Sequence, residues 1–191
     1  LSTPSIPTDS SQGSGLTLEH HTQIANLDRD EWNALLADRG AFDADSLAML
    51  EATHNGTSDA DCWRFHYYVV RDAEKKPILA TFFTDAIWKN DVFSAAEVSR
   101  VIEQERLQDP RYQTSRVFSM GSLLTEGNHL YLDKRSNWRV ALNMLLQAVR
   151  SEAKKANANI ISLCLYMIVV NGHKQRLHGL EGRVQIFLDF F

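Results

Sequence analysis

Two periods of hydrophobic recurrence divide the chain: a two-residue alternation that marks strands and a recurrence every three to four residues that marks helices. A short strand is expected near residues 20–24. Asp28 is placed to cap a helix in which Trp32, Leu35 and Leu36 share a face, with Gly40 as its stop. A second helix follows, capped by Asp43 or Asp45, with Leu47 and Leu50 on its apolar side and the Asn55-Gly56 pair at its end. Residues 62–71 and 77–88 are dense in aromatic and β-branched side chains, and the polar run 72–76 between them reads as the turn of a β-hairpin. Ser94 is the expected cap of a helix running through Val98, Val101 and Ile102 to Gln108. Asp109-Pro110 ends it, because proline disfavours helical geometry in the residue before it.

Residues 114–124 form the next expected strand, bent at Gly121, and residues 128–132 continue it as a short extended piece. The clearest helical signal begins at Trp138. Leu142, Leu145, Val149 and Ala153 recur at helical spacing, and Lys154 and Lys155 stand in the last turn, where the helix dipole favours cations. Residues 160–170 read as a strand buried on both faces, and 183–191 as a last strand. A helix linking two strands of one sheet makes a right-handed crossover, so the strands on either side of it are expected to be parallel. The predicted fold class is α/β, with a mixed, partly parallel sheet flanked by helices.

Residues 1–17 break the pattern. Ser, Thr, Pro and Gly dominate there, and too little apolar surface is available to offset chain entropy, so a disordered linker or tail is expected, with 18–191 as the domain. Over 191 residues, 44% hydrophobic and 23% charged is the composition of one globular domain. A formal net charge of -4 argues against a nucleic-acid partner, because affinity for a phosphate backbone needs a cationic surface. Cys62 and Cys164 sit in apolar runs without metal-ligand spacing, which fits buried thiols in a reducing, cytoplasmic setting. No basic region followed by an apolar one opens the sequence, and the apolar run 160–170 falls well short of the ~20 residues that span a bilayer. Neither a secretory leader nor a membrane partner is expected.

The segment Met120-Gly121-Ser122-Leu123-Leu124-Thr125-Glu126-Gly127-Asn128-His129-Leu130-Tyr131-Leu132-Asp133, followed by the helix from Trp138, resembles a subgroup of the GNAT superfamily of acyl-CoA N-acyltransferases. That subgroup is related to the Fem-type and peptidoglycan-recognition acyltransferases. The resemblance covers about residues 20–163 and rests on element order together with this segment. It implies a GNAT-like sheet in which an acyl-CoA co-substrate lies between two splayed parallel strands, here those around 118–124 and 161–169. Its pyrophosphate would meet the N-terminus of the helix that starts near Asn137, whose first N–H groups lack intrahelical partners and carry positive potential. Lys134, Arg135, Ser136 and Asn137 in the loop 133–137 are then the implied cofactor-binding residues. The implied reaction is transfer of an acyl group from the thioester to a small-molecule amine. Members of the subgroup are sometimes fused behind pyridoxal-phosphate enzymes of the oxoamine-synthase type, which makes such an enzyme an expected partner and suits a linker at the start of the chain. The chain ends where the resemblance implies further helix and strand, so the fold is expected to be incomplete at its C-terminus.

Glu126 and His129 flank the turn at the strand end where the amine would arrive. Deprotonating an ammonium requires a base with a pKa near working pH, which histidine meets unperturbed and glutamate after partial burial, so these two are the catalytic candidates. A loop carboxylate and a half-buried packed histidine are the plainer account of the same pair. Lys134 and Arg135 can bind phosphate, or be solvated charges on a loop. Arg64, Tyr67, Tyr68, Trp88 and Lys89 cluster around the hairpin and are candidates to line an acceptor cleft or a partner surface. His20, His21 and His66 lie where strand packing accounts for them, no His/Asp/Glu cluster has metal-ligand spacing, and no metal is expected. Ser119 and Ser122 lack the context of a nucleophile elbow, and Tyr166 reads as core. The loop 133–137 contains no glycine to let backbone close on a pyrophosphate, which keeps an alternative open: a non-catalytic docking module beside a fused enzyme. Fem-type use of aminoacyl-tRNA is disfavoured by the acidic charge.

Overall fold

A computed structural model describes residues 15–56, 62–92, 94–166 and 183–189. In chain order the elements are β1 (Thr17–His21), α1 (Arg29–Leu36), α2 (Ala44–Thr53), β2 (Arg64–Arg71), β3 (Pro77–Lys89), α3 (Ala96–Arg106), β4 (Thr114–Met120), β5 (Leu130–Leu132), α4 (Trp138–Lys155), β6 (Ile160–Tyr166) and β7 (Arg183–Asp189). The strands make one sheet in the order β1-β2-β3-β4-β6-β7, with β5 on β3. Pairing is antiparallel except between β4 and β6, which the α4 crossover makes parallel. The fold is therefore mixed α/β, as the element order predicts.

Local chemistry explains the boundaries. Asp28 caps α1 by accepting the Glu31 amide at 2.8 Å. Of the two candidates for α2, Asp43 is the cap, accepting the Asp45 and Ser46 amides, each at 3.1 Å, and the Ser46 hydroxyl at 2.6 Å. Such caps contribute about 1 kcal/mol each. In the hairpin turn the Asp72 carboxylate accepts the amides of Glu74 and Lys76.

Side chains of β2 alternate between two covered faces, which is why the strand reads as continuously apolar. On one face Phe65, Tyr67 and Val69, with Ala80 and Phe82 of β3, pack against Trp32, Leu36, Phe42 and Leu47 from the α1 and α2 region. On the other, Tyr68, Val70, Phe83, Phe118 and Ile161 receive the α4 stripe of Ala141, Leu145, Val149 and Ala153. Among the described residues, no helix is long and apolar enough to cross a membrane.

Several expectations are corrected. The first strand is Thr17–His21 rather than 20–24, because Leu18 and His20 pair with Val70 and Tyr68 of β2. Leu16 is buried in the core and Thr17 opens β1, so the ordered domain begins before residue 18; residues 1–14 of the expected tail lie outside the described residues. Helix α3 starts at Ala96 with Ala95 as its cap, not Ser94. Its Val98 and Val101 are 49% and 64% exposed, because α3 does not lay its apolar stripe on the sheet. Instead Arg106 anchors it: the guanidinium donates to Asp91 at 2.5 Å, to Glu103 at 2.7 Å and to the carbonyls of Tyr112 and Gln113. The strand expected over 114–124 ends at Met120, and the extended piece after it pairs with β3. Residues 167–170 of the expected buried strand lie outside the described residues, as do the side chains of Cys164 and Tyr166; Cys62 is half-buried and free.

Candidate functional site

The ladder between β4 and β6 is short, running from Val117↔Ile160 through Phe118↔Ile161 to Ser119↔Ser162. Beyond Ser162, β6 continues to Tyr166, while β4 ends at Met120 and turns away at Gly121. Gly121 has φ +73, a left-handed conformation that favours glycine, and a Cβ there would lie 2.5 Å from the His129 ring. The turn is held from both sides: the Gly121 amide donates to the Phe82 carbonyl at 2.9 Å, and the Gly121 carbonyl accepts the Thr84 hydroxyl at 2.8 Å. Strand β3 pairs with β4 through Phe83–Lys89 and with β5 through Leu79–Thr81, so residues 121–129 form a loop that leaves and rejoins the same edge of β3. Gly127 closes the loop against Gly40, where a side chain would strike the Arg39 carbonyl.

His129 lies beneath this loop and is 3% exposed. Its ring packs 4.8 Å from Phe42 and edge-on to Phe82, its Nε2 is 3.0 Å from the Thr125 hydroxyl, and its backbone carbonyl accepts the Thr81 hydroxyl. Glu126 is exposed on the loop. The histidine, expected to be half-buried, is deeply buried because β5 draws it under the aromatic side chains of the α1 and α2 face.

The loop 133–137 leads into α4 at the end of the sheet where β4 and β6 part. Lys134 is exposed. Arg135, although 85% exposed, is turned back on Asp133, its Nε 3.0 Å from the carboxylate, which also accepts the Arg135 amide at 3.1 Å. The Arg135 side chain is the main reason the Asp133 carboxyl is held below the usual range. Asp133, in turn, raises the guanidinium's affinity for its proton. Ser136 donates its amide to the Asp133 carbonyl, and Asn137 occupies the cap position without a side-chain cap bond. No acidic residue stands in the first turn of α4.

The hairpin residues divide rather than cluster. Tyr67 and Tyr68 are both fully buried on opposite faces of β2, Tyr67 donating its hydroxyl to Glu51 at 2.6 Å, and Lys89 pairs with Glu103. An acceptor cleft built from all five is excluded because neighbouring strand positions point to opposite, covered faces.

At the far end of α4 the structure assembles a group that spacing along the chain does not reveal. His20 from β1, His66 from β2 and Glu152 from α4 converge beside a cleft of about 360 Å³ lined by Arg64, His66, Asp85, Arg116, Glu152 and Lys155. Burial, and then the neighbouring His20, push His66 down to about 4, and burial lowers His20 as well. Asp85 is 1% exposed and held by Arg116 through bonds of 2.7 and 2.8 Å, with Arg64 at 3.4 Å. Only the β1–β2 register, which sets His20 opposite Tyr68, makes this grouping visible.

No protein-family model matches the chain, and no curated protein or solved structure matches it either.

Proposed function

We propose that the domain transfers an acyl group from an acyl-CoA thioester to a small-molecule amine on a GNAT-like fold. The observation that carries this reading is the parallel β4/β6 pair, which ends at Ser119↔Ser162 with α4 beginning at the same end of the sheet. Ligands of sheets with parallel strands gather at the C-terminal ends of those strands, where crossover helices present their N-termini. In this reading the thioester lies where the two strands part and meets backbone groups there, and the pyrophosphate meets the first turn of α4 beside Lys134 and Arg135. Catalysis is mainly positioning together with polarisation of the thioester carbonyl. Glu126, exposed on the loop, and His129 beneath it are the two candidate acceptors of the ammonium proton in this reading.

A second reading is a docking module beside an associated pyridoxal-phosphate enzyme. It is favoured by the pairing of Arg135 with Asp133, which engages one of the two loop cations within the chain itself. Calorimetry with CoA and acetyl-CoA separates the two. Acyl transfer requires binding that the Lys134→Ala, Arg135→Ala double substitution weakens by about 2–4 kcal/mol, since charge-assisted hydrogen bonds contribute ~1.5–3 kcal/mol each and are seldom additive. Absence of binding heat at millimolar ligand, with the protein folded, overturns the acyltransferase reading.

A further inference from the structure

We propose that His20, His66 and Glu152 form a binding site for a divalent transition-metal ion of the zinc type. The site lies at the C-terminal end of α4, away from the loop 133–137, and does not depend on the acyltransferase reading.

Three elements deliver the ligands to one place. His20 and His66 lie on adjacent strands and project from the sheet face that α4 covers, and Glu152 sits in the last turns of that helix. His20 Nε2 and His66 Nδ1 face each other at 3.0 Å, with the rings within 11° of parallel. One nitrogen of each ring and a Glu152 carboxylate oxygen all lie within 4.8 Å of one another. Zinc–nitrogen bonds of about 2.0–2.1 Å at a tetrahedral angle hold two nitrogens about 3.3 Å apart, so the pair needs to open by only a few tenths of an ångström.

Donor chemistry narrows the ion. Two imidazoles with one carboxylate suit zinc and its transition-metal neighbours, whereas calcium and magnesium prefer sets made of oxygen alone. Three protein ligands leave a fourth position for water or an anionic ligand, facing the cleft lined by Arg64 and Lys155. His66 is 9% exposed, so one of the three ligands is held within the fold rather than on the surface. Lys155 opposes the ion, since its Nζ holds the Glu152 carboxylate at 2.7 Å.

The test is a titration of the folded chain with zinc chloride, followed by calorimetry, with cobalt(II) as a visible-absorbance probe of four-coordinate geometry. The expected result is one zinc per chain at micromolar or tighter affinity, with tetrahedral cobalt bands. His20→Ala and Glu152→Gln alter side chains that reach solvent, so the fold should persist, and each should weaken binding at least about tenfold. Lys155→Ala should tighten binding by freeing the carboxylate. The proposal is overturned if the folded wild-type chain takes up no zinc at millimolar concentration. It is equally overturned if His20→Ala and Glu152→Gln bind as tightly as wild type, which would put the ion on other residues.

Discussion

Replacing Gly121 by alanine tests the turn at which β4 leaves the sheet. Two separate costs follow from its geometry. The first is conformational: at φ +73 an L-residue is about 1–2 kcal/mol less stable than glycine. The second is steric. The added Cβ would lie 2.5 Å from His129 Nε2, and that ring cannot retreat, being packed on Phe42 and Phe82 and bonded to Thr125. Forcing a group into so full a space costs about 1–3 kcal/mol, so the substitution should destabilise the domain by about 2–5 kcal/mol. His129→Ala removes the obstructing ring at its own cost, and in the double variant the steric part should vanish while the backbone part remains. The coupling energy between the two substitutions should therefore be about 1–3 kcal/mol in the favourable direction. Urea denaturation, read by the fluorescence of the four tryptophans, measures all four corners of the cycle. If the two effects add to within about 0.5 kcal/mol, His129 is not the wall against which Gly121 is fitted, and the account of this turn is wrong.

Leu145→Ala, in the fully buried α4 stripe, should cost about 2–5 kcal/mol by the same urea assay, whereas the exposed Val101→Ala should stay within about 0.5 kcal/mol of wild type. Asp43 carries a pH dependence. Hydrogen bonds, led by the Ser46 hydroxyl, hold its folded carboxyl below the usual value, so its contribution is present above the unfolded pKa of about 3.9 and is lost as pH falls through the folded value. Asp43→Asn retains a capping side chain that does not titrate, and should remove that part of the acid destabilisation in a pH series of thermal melts while changing neutral stability by less than about 1 kcal/mol.

The sequence was legible where local chemistry and burial agreed. The hairpin of β2 and β3 announced itself because both faces are covered and the turn between them is polar, and Asp28 and Asp43 are caps whose partners lie within three residues. The parallel β4/β6 pair followed from a helix that begins and ends within one sheet. What escaped depended on distant packing. The apolar spacing of Val98 and Val101 correctly marks a helix, yet it carries no information about whether a partner surface exists. The depth of His129 was hidden in the same way, because its burial beneath Phe42 and Phe82 follows only from the pairing of β5 with β3. His20 and His66 are 46 positions apart, and their contact appears only once the β1–β2 register is known.

The charged knot at Arg106 has a consequence for how the molecule opens. Between β3 and β4 the chain makes an excursion closed at its base by the bond from the Asn90 amide to the Gln113 carbonyl. Above that bond, α3 is fastened by the Arg106 guanidinium, whose partners, Asp91, Glu103 and the Tyr112 and Gln113 carbonyls, belong to the excursion itself, and by one exposed ion pair from Glu103 to Lys89 of β3. Little of its apolar surface is shared with the sheet, so melting the helix forfeits few contacts made elsewhere. Residues 94–112 are therefore expected to open as one unit while the two strands beneath stay paired, and protection of their amides should report the strength of this electrostatic clasp rather than the stability of the domain.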